Sequence, residues 1–460
     1  MQYCNNKENR QKINIFMKPV VEIVSKESIK PNTPTPQNLR NFKISFLDQL
    51  SPSSYIPTLL FYNHPLPNHA NDSNILSNLK ESLSEALTIY YPLAGKLKNS
   101  ISIDCNDEGA LFVEAQVNNY SLAMFLESPN VSSLNDFLPF PNCNCLEENS
   151  ERFLVAIQIT KFQCGGIVIG TCLFHRVVDT AAISCFLDTW SKIARNERDQ
   201  VTYPDLFSGS KLFPPRDPIP SEFLKTFDNF FFTKSNSMKR FVFDAKAIAT
   251  LKAQAASEQV PYPSRVVALT AFITKRILAA RDEKCPETLM ITHPVNIRQR
   301  LEPLSKNAFG NLIWLSYAFI DDASNENVEL SNLAAMVREI LVSVNGENLQ
   351  GLDHDDMFSS YSEVIGEINT NGKVKILRFS SWCNLGFYDV DFGWGRPVWV
   401  SDMGGAIGYL SKQHFLFVDS KCGKEIELWM AYDEDGISAL ENDPEFIAHT
   451  IPNPGVFMHN

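Results

Sequence analysis

The stretch QCGGIVIGTCLFHRVVD (163–179) limits the architecture more than any other part of this sequence. IVIGTCLF (167–174) is a nearly continuous apolar run of strand length, and a strand without polar alternation is buried on both faces. Ahead of it FLVAIQITKF (153–162) is a second strand, and QCGG (163–166) supplies the glycines of a tight turn between them. Behind it HRVVD (175–179) leads into TAAISCFLDTWSKIAR (180–195), whose spacing predicts an amphipathic helix. His175 therefore stands where a buried strand turns into a helix, held by a rigid scaffold yet able to face a cleft.

The rest of the first half reads as mixed α/β. NILSNLKESLSEALT (74–88) places Ile75, Leu76, Leu79, Leu83 and Leu87 at helical spacing. Pro92 and Gly95 in YYPLAGKL (90–97) stop that helix, and EGALFVEAQV (108–117) alternates like a strand. Residues 198–221 carry five prolines and neither period, as a linker or crossover does. The second half opens with a strand, MKRFVFD (238–244), and a helix, AKAIATLKAQAAS (245–257). A further helix begins at Ser264, a good N-cap residue, and strands are expected near 311–320, 396–401, 413–419 and 425–431. At 460 residues the chain exceeds one ordinary core, so two domains of roughly 200 residues each are expected. The boundaries follow from the breaks: an atypical extension over 1–17, expected to be disordered over its first 16 residues; an N-terminal domain over 18–197; a crossover over 198–235; and a C-terminal domain over 236–460.

Composition removes several function classes. No run of 18 apolar residues occurs, so no membrane-spanning helix is expected, and the N-terminus lacks the apolar core of a secretory signal. The net charge of −12 argues against nucleic acid and anionic membranes as partners, although an anionic ligand needs only a local basic pocket. The ten cysteines are dispersed, and Cys143 and Cys145 are too close for a Cys-x-x-Cys site. That is thiol usage for a reducing compartment, which favours the cytoplasm.

Of eight histidines, only His175 has an aspartate four residues on, Asp179. Histidine is the side chain best suited to deprotonate an alcohol near neutral pH and return the proton to a leaving group. Asp179 can orient the imidazole or brace the loop through a salt bridge. The bare spacing arises often by chance and does not name a reaction.

HRVVD, followed by DFGWG (391–395), resembles the plant BAHD acyltransferase family, and the order of the two signatures is specific. ISFLDQL (44–50), YYPLAGKL, FQCGG (162–166), HPVNIRQR (293–300), FGN (309–311) and SSWCNLGFYDVDFGWG (380–395) all stand in family order. The similarity runs from about Lys18 and is nearest to the alkaloid O-acetyltransferases of that family. It implies an α/β fold of two domains, each a mixed sheet with flanking helices, with an active-site channel between them. CoA enters from one side and the acceptor from the other. The activity implied is O-acylation from an acyl-CoA co-substrate, expected to be acetyl-CoA, onto a hydroxyl of a bulky specialised metabolite, with an indole alkaloid favoured. No permanently bound cofactor or metal is required, and the family expectation is a monomer.

Carried over by motif, His175 is the general base and Asp179 a structural partner of Arg298. Asp391 is expected to contact Asn311, with Gly393 and Gly395 shaping a tight turn. Ser380 and Trp382 match positions that steady the oxyanion, the serine standing where the family has threonine. CoA phosphates are expected at Ser264 and Arg265, where a helix N-terminus favours anions. Arg298, Arg300 and Lys306 form another basic cluster. Thr180 replaces a common glycine; it can N-cap the next helix and is expected to alter the pocket's shape. Other readings stay open: malonyl or aromatic acyl donors, an amine acceptor, a hydrolase, or a silent ligand-binding member.

Overall fold

The computed structural model of the chain describes residues 18–63, 72–140, 153–220, 223, 232–233, 237–280, 288–320, 328–371, 374–402, 410–411 and 413–456. The extension over 1–17 lies outside the described residues, as do Cys4, Cys143, Cys145, Cys285 and much of the crossover beyond 220.

Two mixed sheets organise the molecule. The first runs, edge to edge, through Val21–Ile29, Ala110–Val117, Val155–Phe162, Ile167–Phe174, Tyr55–Tyr62 and Trp399–Ser401. Its Ile167–Phe174 strand is buried along its whole length, as the unbroken apolar run requires. Gly170 in that strand is needed for room, since a Cβ there would stand 2.0 Å from the carbonyl oxygen of Phe137. Helices Asp72–Ile89 and Thr180–Ala194 cover the sheet. Leu79, Leu83 and Leu87 point into the core at helical spacing, and Trp190 donates its indole N–H to the Leu79 carbonyl and to Ser82 Oγ, both at 3.1 Å. A fully buried tryptophan thus keeps its one donor satisfied.

The second sheet runs through Ile313–Ile320, Thr288–Asn296, Val374–Ser381, His414–Asp419, Ile426–Tyr432, Ser237–Phe243 and Ile451–Pro452. Strand alternation largely divides Val374–Ser381, although Phe379 and Ser381 also border the cavity. Leu377 and Phe379 enter the second core, where Phe379 stacks on Phe415 with ring centres 4.9 Å apart. Arg378 and Ser380 face the other way, towards the first sheet. The cleft between the sheets is therefore floored by one face of the second.

Three expectations change. The segment after DFGWG leaves the second half: Trp399–Ser401 pairs with Leu59–Phe61 and becomes an edge of the first sheet. Pairing between distant segments is not written in local periodicity, so a boundary drawn along the chain misses it. Trp399 is gripped from the second half by a buried ion pair. Arg240 donates to Glu427 at 2.8 and 2.6 Å, and the same carboxylate accepts the Trp399 indole N–H at 3.0 Å. The crossover, read as a linker or crossover with neither period, carries a short helix, Ser208–Leu212, and buries Phe213 and Ile219 with Phe46, Leu47, Val295 and Leu312. Burying a side chain as large as Phe213 contributes about 1.5–3 kcal/mol, so prolines here shape a packed connection. Finally, the helix after HRVVD is capped by Asp179, whose Oδ1 accepts from the Ala182 N–H at 2.9 Å, and Thr180 is its first residue rather than its cap.

Candidate active site

His175 follows the last residue of the buried Ile167–Phe174 strand, and its backbone N–H donates to the Ser54 carbonyl at 2.8 Å. Its ring lines a cavity of about 320 Å³ between the sheets. The ring's protonation follows from its neighbours. Asn311 Nδ2 donates to Asp48 Oδ1 at 2.8 Å and to the His175 carbonyl at 2.6 Å, and both partners only accept. The amide nitrogen must therefore face them, which turns Asn311 Oδ1 towards His175 Nδ1 at 3.0 Å. An amide oxygen accepts only, so Nδ1 carries the proton and Nε2 carries the lone pair. Burial pushes the imidazole's pKa below its ordinary 6.5, against the opposing pull of Asp179 and Asn311, so the ring is neutral and basic at neutral pH.

Asp48 anchors this arrangement. It lies in the Phe46–Gln49 helix, in a reciprocal capping box with Ser45. Its carboxylate accepts from Ser45 N–H and Oγ, both at 2.7 Å, and from the Asn311 backbone N–H at 2.6 Å. Burial pushes its pKa up to about 6 despite those donors.

Asp179 meets Arg298 as expected, in a fork of 2.7 and 3.0 Å with both side chains buried. The carboxylate also accepts the Leu312 backbone N–H at 3.0 Å. Arg298 donates in turn to the carbonyls of Ala308 and Gly310 at 2.8 and 2.9 Å. The pair thus ties the His175 loop to the 308–312 segment that carries Asn311, and Asp179 has no hydrogen bond to the imidazole among those of the described residues.

Ser380 and Trp382 both line the cavity. Ser380 Oγ lies 3.0 Å from His414 Nε2, and the Trp382 ring packs against Phe387 at 5.6 Å. Burial, assisted by the Arg378 charge, pushes the His414 pKa down to about 4, so this imidazole is neutral. If Nε2 carries its proton, His414 donates to Ser380 and leaves the hydroxyl proton for an oxygen in the cavity.

The expected contact between Asp391 and Asn311 is not formed. Asn311 is committed to Asp48 and His175, while Asp391 Oδ1 accepts from the Gly393 and Gly395 N–H groups at 2.7 and 2.9 Å. Those glycines have φ of +99° and +101°, so Asp391 closes its own turn where only glycine is unstrained. Arg195 donates to the Asp391 carbonyl and Tyr62 to the Val390 carbonyl at 2.9 Å, fixing DFGWG to the first sheet.

Ser264 and Arg265 lie off the cavity wall. Ser264 caps its helix through the Val267 N–H at 3.2 Å. Arg265 donates to Asp419 Oδ1 at 2.9 Å and to the Gly423 carbonyl at 2.7 Å, beyond the end of the His414–Asp419 strand. Of the other basic residues, Arg300 donates to the Leu341 and Val344 carbonyls, and Lys306 is exposed. Burial raises the thiol pKa of Cys185 and pushes that of Cys383 up to about 12, so neither is a thiolate nucleophile at neutral pH.

Three residues of the site carry no role in the sequence reading. Asp48 stands inside ISFLDQL, where the capping pattern Ser45-x-x-Asp48 is a local signal. Arg378 and His414 give none, because their neighbours across strands are set by the sheet.

A neutral imidazole beside a cavity with hydroxyl and indole donors is equipped to take a proton from an alcohol and to steady an oxyanion. Comparison with known proteins identifies the family and relatives of the chain. A model described as the Transferase family matches residues 19–447. Akuammiline synthase 2 of Alstonia scholaris is 49% identical over 448 residues, 95% of this chain and 98% of that protein. Limonoid 7-O-acetyltransferase of Citrus sinensis is 38% identical over 457 residues, 94% of this chain and 98% of that protein. A crystal structure of vinorine synthase superposes with a TM-score of 0.78 at 30% identity, covering 95% of this chain and all of that one.

Proposed function

Since this chain belongs to the Transferase family of BAHD acyltransferases, we propose that it moves acetyl from acetyl-CoA to a hydroxyl of an indole alkaloid. The observation that carries the reading is the His175 ring: Asn311 holds the proton on Nδ1, so the basic Nε2 belongs to a side chain that lines the cavity. The names of the relatives support the acetyl choice, one being a limonoid O-acetyltransferase beside synthases named for akuammiline and vinorine.

In this mechanism alcohol and thioester occupy the cavity together. His175 Nε2 takes the hydroxyl proton as the oxygen attacks the thioester carbon. The imidazolium that forms keeps Nδ1–H on Asn311 Oδ1, and a hydrogen bond to a charged ring is stronger than one to a neutral ring. Ser380 and Trp382 donate to the oxyanion, and collapse expels the CoA thiolate, which recovers the proton from His175. Ser264 and Arg265 mark the end at which the CoA phosphates sit, at a helix N-terminus. We take the enzyme to act as a cytoplasmic monomer.

The test is donor and acceptor profiling of the full-length protein. Acetyl-CoA with a panel of indole-alkaloid alcohols is expected to give products heavier by one acetyl group. Turnover with malonyl-CoA and none with acetyl-CoA would overturn the donor assignment, and release of CoA without an acylated product would indicate a hydrolase.

A further inference from the structure

Among the described residues, the cavity floor carries one buried cation, Arg378. Arg378 lies on the cavity-facing side of the Val374–Ser381 strand, two residues before Ser380, and is only 5% exposed. The cavity's lining is more apolar than polar, with Leu50, Ile56, Ile313, Leu315 and Leu416 among it, while the cross-strand neighbours of Arg378 are Thr292 and His414. Burial pushes the guanidinium's pKa down to about 9, which still leaves it charged at neutral pH. Among the described residues, the other charged lining residues outside the histidines are Asp179, tied to Arg298, and Asp402, at the end of the Trp399–Ser401 strand.

Strand direction says which substrate this cation meets. Val374–Ser381 and His414–Asp419 are parallel, with Arg378 opposite His414 and Ser380 opposite Leu416. At the far end Asp419 holds Arg265. Along the sheet the order is therefore Arg378, then Ser380 and Trp382, then Arg265. With CoA phosphates at the Arg265 end and the reacting carbonyl at Ser380, Arg378 lies on the side away from CoA, two strand residues or roughly 7 Å along from Ser380.

We propose that Arg378 reads the acceptor: it donates to a carbonyl or carboxylate oxygen carried by the alcohol, so the acceptor class is a polycyclic alcohol with an ester or acid group near the reacting hydroxyl. The planar fork of a guanidinium matches such an oxygen pair, and at a site this buried that contact discriminates strongly against an analogue lacking it. This assignment rests on the reading of the Arg265 end as the CoA end.

The experiment uses the full chain, acetyl-CoA and a matched pair of indole-alkaloid alcohols, one bearing a methyl ester and one with hydrogen in its place. Wild-type protein is expected to favour the ester by about ten- to hundredfold in kcat/KM, the range for a hydrogen bond to a charged group. Arg378→Gln is expected to erase the preference by raising KM for the ester alone, with KM for acetyl-CoA unchanged, and Arg378→Lys to keep part of it. Should the glutamine variant fail to fold, calorimetric binding of the two alcohols to wild-type protein decides by the same ratio. A preference that survives Arg378→Gln, or no preference in wild type, overturns the assignment. A variant that instead changes the choice between acetyl-CoA and malonyl-CoA places Arg378 on the donor. Failure of wild type to acetylate either alcohol while still binding the ester more tightly counts against the acetyl-transfer reading and not against Arg378.

Discussion

Removing Arg298 separates a brace from a relay. Its guanidinium is buried and makes two bonds to Asp179, one to the Ala308 carbonyl and one to the Gly310 carbonyl. Arg298→Met leaves the Asp179 carboxylate buried with only the Ala182 and Leu312 N–H groups as partners. Breaking a buried pair from one side costs about 3–5 kcal/mol, mostly from the uncompensated charge. Asp179→Ala carries the same cost plus about 1 kcal/mol for the lost helix cap. The two changes share one interaction, so the double variant should fall well short of their sum, with a coupling of about 3 kcal/mol. Urea denaturation of the four proteins gives the cycle. The kinetic half is more discriminating. If Asp179 and Arg298 together hold the His175 loop against the Asn311 segment, Arg298→Lys and Asp179→Asn lower kcat alike, because lysine cannot reproduce the fork. Near wild-type turnover in Arg298→Lys beside a large loss in Asp179→Asn would refute the brace and return Asp179 to the imidazole.

Two further outcomes follow from the same network. Asn311→Ala removes the acceptor of Nδ1–H; about 1.5–3 kcal/mol for a bond to the imidazolium means roughly a ten- to hundredfold lower kcat with KM little changed. Because that bond raises the His175 pKa, the acid limb of the pH–rate profile should move to lower pH; an unchanged plateau or an upward shift contradicts it. Stability should fall between pH 7 and 5. Burial holds His293 and His414 at about 3 and about 4, below their ordinary 6.5, so the unfolded chain binds protons that the folded one refuses. Asp48, raised to about 6, opposes them below that pH. Two protons from His293 and His414 less about one for Asp48 leave roughly 1.4 kcal/mol lost per pH unit near pH 5; the lowered His175 adds to that loss and the raised Asp136 opposes it, and a melting temperature that is flat or rises on acidification would be inconsistent.

What the sequence makes legible is local. The turn at 163–166, the strand at 167–174 and the helix from 180 coincide with the structure because each has a period that only one conformation satisfies. Asp179 with Arg298 was legible through family motifs, and the structure supplies its reason, a buried fork that reaches the segment carrying Asn311. Tyr55–Tyr62, the fifth of the six strands, gives no clear strand signal: Pro57 interrupts the run YIPTLLFY, and proline argues against an interior strand. Here that strand pairs with Ile167–Phe174 on one side and Trp399–Ser401 on the other.

Long-range geometry stayed hidden. Asn311 reaches Asp48 and His175 across 263 and 136 residues, and no local pattern distinguishes those partners from Asp391. Arg378, one of the two charges within VKILRF (374–379), reads as a solvent-facing strand residue until the sheet turns it into the cleft. The tautomer of His175 lay further still from the sequence, since it depends on which groups saturate the Asn311 amide nitrogen.

The most direct measurement of the central claim is turnover by His175→Ala with acetyl-CoA and an accepted alcohol, followed as CoA release and as acetylated product. Loss of a general base predicts a kcat lower by about 10²–10⁴ with KM for both substrates nearly unchanged. Release of CoA and formation of ester at the wild-type rate would mean that another group removes the hydroxyl proton.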